Sequence, residues 1–179
     1  MKHLMIDLEA MGTKPNGAIV AIGAVYFDET GLGEEFYARV DLQSALDWGG
    51  TIDPATVLWW MQQSEEARKE IWNPIGIIGV REALENFDVF ANSNKLKCVW
   101  GNGADFDNII LGEAYARCGL VKPWSYAQNR CFRTLRYLYK DIVEAPKRKG
   151  VHHNALDDAK FQAEWASMIL RFAKSNGLA

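Results

Sequence analysis

Apolar residues recur along this chain with two different periods, and the change of period divides it. Up to residue 40 they crowd into three short runs rich in β-branched and aromatic side chains: Lys2 to Glu9, Ile19 to Phe27 and Glu34 to Val40. Such runs predict strands, with Gly31-Leu32-Gly33 as the turn between the last two. The expected arrangement is an antiparallel meander.

From Asp53 onward the period lengthens. Pro54 suits the first turn of a helix, and Ser64 followed by Glu65 and Glu66 reads as another helix start with acids at the favourable end of the dipole. Val80, Ala83, Leu84, Phe87 and Ala91 then fall on one helical face. Lys97 to Trp100 has room only for a short buried strand. Gly101-Asn102-Gly103 ends it before a helix carrying Ile110, Leu111, Ala114, Tyr115 and Cys118, for which Gly119 fits a C-terminal cap. The last helix bears Leu156, Ala159, Ala163, Ala166, Leu170 and Ala173, a stripe of small residues suited to close packing. A meander followed by alternating helix and strand predicts an α/β fold, one mixed sheet with helices on its faces, in a single domain over residues 1–179.

Composition supports a genuine core. A chain of 179 residues, 49% hydrophobic, buries roughly 70% of its unfolded surface. Asp7 interrupts the opening apolar run too early for a signal peptide, and no run approaches the ~18 apolar residues of a membrane span. The expectation is a soluble, cytoplasmic protein without a membrane partner. Cys98, Cys118 and Cys131 are odd in number and lack a Cys-x-x-Cys spacing, which argues against disulfides and structural zinc. A net charge of -3 does not mark a general polyanion binder. Basic residues are nevertheless gathered: Arg130, Arg133, Arg136 and Lys140 recur at near-helical spacing, and Lys147-Arg148-Lys149 forms a loop. Either group is a solvated face or a path for phosphates.

Acidic residues carry the chemistry. Asp7 and Glu9, two apart on a strand, project from the same side, while Leu4, Ile6 and Leu8 describe the buried opposite face. Asp105 and Asp107 stand at a helix start, where an acid is favoured by the dipole alone. Near the C-terminus Asn154 can cap the last helix and Asp157 resembles the acid of a capping box, which leaves Asp158 and either His152 or His153 unexplained. Acidic clusters beside apolar segments repel themselves unless a cation is shared, so a divalent metal is the expected neutraliser. Trp59, Trp60 and Trp100 could stack on bases, although core packing is the commoner use of such residues.

Taken in order, Asp7-Leu8-Glu9, then Asn102 with Phe106-Asp107, then His153-x-Ala155-Leu156-x-Asp158 resemble the three motifs of the DEDDh 3′-5′ exonucleases, which include ribonuclease T and polymerase proofreading subunits. MIDLEAMGT, AIVAIGAVYF, the Trp59 to Arg68 segment, WGNGADFD and Arg133-Thr134-Leu135 look most like the bacteriophage exodeoxyribonuclease branch and the related actinobacterial exoribonuclease. Two departures stand out. Ala10-Met11-Gly12 replaces the Thr-Thr-Gly of many relatives, and one extra residue separates Asn102 from Phe106, which makes Asp105 a rival to Asp107. The position after Phe106 and before Ile109-Ile110-Leu111 favours Asp107.

The resemblance implies a ribonuclease H-like fold with a mixed five-stranded sheet, three antiparallel strands followed by parallel ones, flanked by helices. It implies a metal-dependent exonuclease that releases nucleoside 5′-monophosphates from the 3′ ends of single-stranded nucleic acid, DNA slightly favoured over RNA. Asp7, Glu9, Asp107 and Asp158 would hold two Mg2+, with Mn2+ able to substitute. Asp7 would bridge the ions, and His153 would take the proton of the attacking water. Contacts to the substrate would fall to Ala10, Met11, Asn102, Phe106, Arg133, Lys147 and Arg148, with Met11 wedged against the last base and Phe106 mainly packed beneath the site. Relatives often pair, and the aromatic surplus would permit a homodimer.

Overall fold

The fold grows outward from a hairpin ladder. In the computed structural model, which describes residues 2–92 and 96–178, β1 (His3–Ala10), β2 (Ile19–Asp28) and β3 (Gly31–Val40) form the expected antiparallel meander. β4 (Ile77–Ile78) joins the free edge of β3 in parallel. On the other side β5 (Cys98–Gly101) pairs in parallel with β1, and β6 (Asn129–Cys131) with β5. The spatial order is β4-β3-β2-β1-β5-β6.

Among the described residues the sheet therefore has six strands where five are predicted. The edge pair Ile77–Ile78 is too short to show any alternation in sequence. The second hairpin also reverses earlier than expected. Asp28 pairs with Gly31, and the Asp28 carboxylate accepts from the Thr30 amide, so Glu29 and Thr30 make the turn. Gly31, Leu32 and Gly33 already belong to the strand.

Helices cover both faces of the sheet. Leu4, Ile6 and Leu8 of β1 join one core with Val80, Ala83, Leu84 and Phe87 of α4 (Val80–Asn92) and Ile110, Leu111 and Ala114 of α5 (Asp107–Arg117). Met5, Val25 and Phe27 face the other way. They pack with Phe132 of α6 (Phe132–Tyr139) and Ala159, Ala163, Ala166 and Ile169 of α7 (Ala155–Ser175). Because β1 is covered twice, it is buried almost throughout, acids included. The remaining helices, α1 (Leu42–Asp47), α2 (Pro54–Met61) and α3 (Glu65–Trp72), follow the meander.

Local chemistry sets the helix ends. Pro54 stands in the first turn of α2 and Ser64 caps α3, as the sequence predicts, and Asp53 caps α2. α5 ends in a Schellman turn: Gly119 has φ +67, and the Leu120 amide reaches the Tyr115 carbonyl at 2.9 Å. At α7 Asn154 accepts from the amides of Leu156 and Asp157, but the capping box is not completed. The Asp157 carboxylate accepts instead from the Val151 amide at 2.7 Å and ties down the preceding loop.

Gly23 decides where α7 sits. It pairs with Asp7 across the β1–β2 ladder, and a Cβ on it would stand 2.2 Å from the carbonyl of Ala155. The helix start thus lies directly on the backbone beside Asp7, which only glycine allows. Gly23→Ala is expected to destabilise the fold by about 1–3 kcal/mol, read as a lower urea midpoint, because the obstacle is rigid backbone. An unchanged midpoint would show that α7 can lift without cost.

Candidate active site

Strand β1 runs past the end of β5, and the site forms in the space beyond. β5 stops at Gly101, so that edge of β1 loses its ladder partner, and the Leu8 amide donates to Oδ1 of Asp107 at 3.2 Å. Gly101 permits this approach, since a Cβ there would stand 2.8 Å from the Asp107 side chain. Asp107 opens α5, while the rival Asp105 is exposed and lies outside the cleft. From the other face, Asp158 in the first turn of α7 meets Asp7 and Glu9, and one oxygen from each of these three lies within 4.8 Å of the others.

All four acids are buried: Asp7 is 9% exposed, Glu9 6%, Asp107 2% and Asp158 7%. They line one cleft of about 560 Å³ together with Ala10, Asn102, Phe106, Arg133, Arg148 and His153. Most of the residues assigned from sequence are thus brought together by the fold. Met11 is not among them. Its side chain belongs to the core at 7% exposure, and its backbone is tied to Ala18 and Asp53, so it cannot wedge against a base. Gly12 and Thr13 reach the cleft instead. Lys147 also lies outside the lining, while its neighbour Arg148 enters and pairs with Asp158. Of the basic stripe on and around α6, Arg133 reaches the cleft; Arg130 is turned to the carbonyls of Ala127 and Asn129.

Burial dominates the electrostatics. It drives the Asp7 carboxyl well above the ordinary range, reinforced by the charges of Asp107, Glu9 and Asp158 and opposed by a hydrogen bond from Gln162. Glu9 is raised well above its usual value by burial, then by Asp158 and Asp107. Burial pushes Asp107 up to about 7 against the pull of several backbone amides. Oε1 of Glu9, Oδ1 of Asn102 and Oε1 of Gln162 are buried without a partner among the described residues, and all three residues line the cleft. Hard oxygens crowded together, some unsatisfied, suit a divalent cation such as magnesium or manganese.

His153 sits above the acids in a strained loop. It is the only non-glycine residue with positive φ among those described, at 65°. Its amide donates to Oδ2 of Asp158 at 3.0 Å, and its ring meets Trp59 edge to face with centroids 4.8 Å apart. Burial, then the neighbouring His152, holds its imidazole below the ordinary value despite Asp158, so it is neutral and able to accept a proton near pH 7.

Sequence reasoning missed Gln162, whose Nε2 donates to Oδ1 of Asp7 at 2.7 Å. The available signal was its place one turn after Asp158 within an apolar stripe. The tryptophans divide: Trp100 packs away from the cleft with its ring nitrogen on His3, while Trp60, buried and donating to the Ala10 carbonyl, lines the cleft beside Trp59, which is 41% exposed.

Comparison with known proteins places the chain among exonuclease relatives by sequence and by fold. The exodeoxyribonuclease of Enterobacteria phage T4 is 23% identical over 207 residues, covering 97% of this chain and 91% of that protein. Among solved structures, E. coli exonuclease I in complex with a dT13 oligonucleotide superposes with a TM-score of 0.65 at 17% identity, over 98% of this chain but 42% of that one. The present chain thus spans about two fifths of exonuclease I. Exonuclease X in complex with 5′ overhanging duplex DNA gives a TM-score of 0.59 at 18% identity, over 99% of this chain and 94% of that one. These likenesses establish the ribonuclease H-like fold. Residues 2–170 match the family described as the 3′-5′ exoribonuclease Rv2179c-like domain, and the chain belongs to this family of 3′-5′ exonuclease domains.

Proposed function

We propose that the protein removes nucleoside 5′-monophosphates from the 3′ ends of single-stranded nucleic acid in a reaction that requires two divalent cations, Mg2+ or Mn2+. The observation that carries this reading is the convergence of four buried carboxylates from β1, α5 and α7 on the cleft that His153 also lines. Asp7, Glu9, Asp107 and Asp158 would hold the cations. When bound, these supply the positive charge that offsets the phosphodiester and its transition state.

The chain's own groups do the rest. His153 takes the proton of the attacking water at its ring, held by its own amide on Asp158 and by the edge of Trp59. Gln162 fixes one oxygen of Asp7. Arg133 and Arg148 on the rim suit the phosphates of the strand, and Trp59 offers a face or edge to an unstacked base. DNA is favoured slightly, in line with the phage relative; the family description favours a second reading, the trimming of RNA 3′ ends. Matched single-stranded DNA and RNA, labelled at the 5′ end and incubated with Mg2+, separate the two. A ladder shortening from the 3′ end supports the proposal, and internal cutting or action on mononucleotides alone contradicts it.

Asp7→Asn is expected to abolish cleavage, because it alters a central ligand, whereas His153→Ala should lose ~10²- to 10⁴-fold in rate while binding Mn2+ as before in calorimetry. Loss of Mn2+ binding in His153→Ala would remove it from the role of base.

The raised carboxyls also link stability to pH. A folded-state value above the unfolded one, near 4, stabilises the fold in the protonated state, a contribution complete at low pH and lost as pH climbs through the folded value, about 7 for Asp107. In chelator, the melting temperature of Asp107→Asn should therefore gain on wild type between about pH 5 and about pH 8. At the upper pH, Mg2+ should raise the melting temperature of wild type and leave Asp7→Asn nearly unmoved.

A further inference from the structure

The loop before α7 contains a second donor set, in which His152, unused by the proposed reaction, joins His153 and Asp158. Neighbouring residues in extended backbone point to opposite sides, but the positive φ of His153 folds its ring back toward His152. The two imidazoles lie with centroids 3.8 Å apart and planes inclined at 37°. Neither ring hydrogen-bonds to any other described residue; the one bond of this pair is the His153 amide on Asp158. A nitrogen from each ring and an oxygen of Asp158 lie within 4.8 Å of one another.

Two imidazoles and a carboxylate make a donor set quite different from the oxygen cluster next to it. Imidazole suits zinc and other borderline transition metals, while carboxylates alone suit magnesium and manganese. Zinc with three protein ligands and an open position is a common arrangement, at metal–ligand distances of about 2.0–2.2 Å. Tetrahedral donors at those distances stand roughly 3.4 Å apart, so a set whose donors lie within 4.8 Å of one another must close by about 1.4 Å at most. His152 is exposed and free to turn about its side-chain bonds. Arg148, which pairs with Asp158, also rests on the face of Phe161 at 4.3 Å and has that seat when displaced.

We propose that His152, His153 and Asp158 form a binding site for a borderline transition-metal cation, foremost Zn2+, and that filling it shuts the enzyme off. The same ion would claim the lone pair of His153 and an oxygen of Asp158. Hard cations at the carboxylates and a borderline one at the histidines then act in opposition through the shared Asp158. The inhibition rests on the exonuclease reading; the binding does not.

Calorimetric titration of Zn2+ into the metal-free protein tests the site without catalysis. Wild type and Glu9→Gln, which is altered only in the oxygen cluster, should bind Zn2+ alike, while His152→Asn should bind it on the order of 10-fold or more weakly, as loss of a ligand requires. In magnesium-supported assays on a labelled oligonucleotide, with each protein measured against its own zinc-free rate, His152→Asn should need a correspondingly higher Zn2+ concentration than wild type for half-inhibition. Equal Zn2+ affinity in His152→Asn and wild type, or loss of that affinity in Glu9→Gln, overturns the proposal. Absence of cleavage in every variant, with the calorimetric pattern intact, would instead reject the exonuclease reading and leave the zinc site standing.

Discussion

Four buried carboxylates gathered on one cleft are the constraint that organises this molecule. Like charges at short range in a poorly hydrated setting oppose folding, and each is only partly relieved: Asp107 by the Leu8 amide, Asp7 by Gln162, Asp158 by Arg148 and the His153 amide. Glu9 keeps a buried oxygen without any described partner. A structural role would call for none of this. The arrangement makes sense if the missing positive charge arrives from outside, and the mutual repulsion of the acids then becomes affinity for cations.

Backbone proximity achieves the convergence. Gly23 lets α7 lie against β2 at the level of Asp7, and Gly101 lets the start of α5 close over the end of β5. Gly150 plays a similar part in the loop before α7, where φ is +75 and a Cβ would strike Asp157. Past His153, the Tyr37 hydroxyl, itself bonded to Glu70, accepts from Asn154 at 3.4 Å. His153 is therefore presented by a loop anchored at both ends, which explains how a strained backbone persists there.

Much of this could be read from the sequence, because its strongest signals were periodic or ordered. The period-2 runs gave the meander, small residues gave the packing stripe of α7, and the ordered acids with His153 pointed to the site that the fold assembles. What escaped depended on contacts distant in sequence. Ile77–Ile78 is a strand only because the edge of β3 is open. Met11 is placed near the cleft by its spacing from Glu9, yet the break in the ladder register between Glu9 and Ala10 and the bonds to Ala18 and Asp53 turn it into the core. Gln162 is an ordinary polar residue until α7 is placed over Asp7. His152 and Trp59 acquire neighbours through a backbone angle that no pattern of residue types announces.

Diffraction from crystals soaked in manganese, recorded for its anomalous signal, tests the central claim most directly. The account expects manganese density bounded by the carboxylates of Asp7, Glu9, Asp107 and Asp158, with Arg148 drawn away from Asp158. Carboxylates that keep their present partners, with no anomalous density among them at saturating manganese, would contradict it.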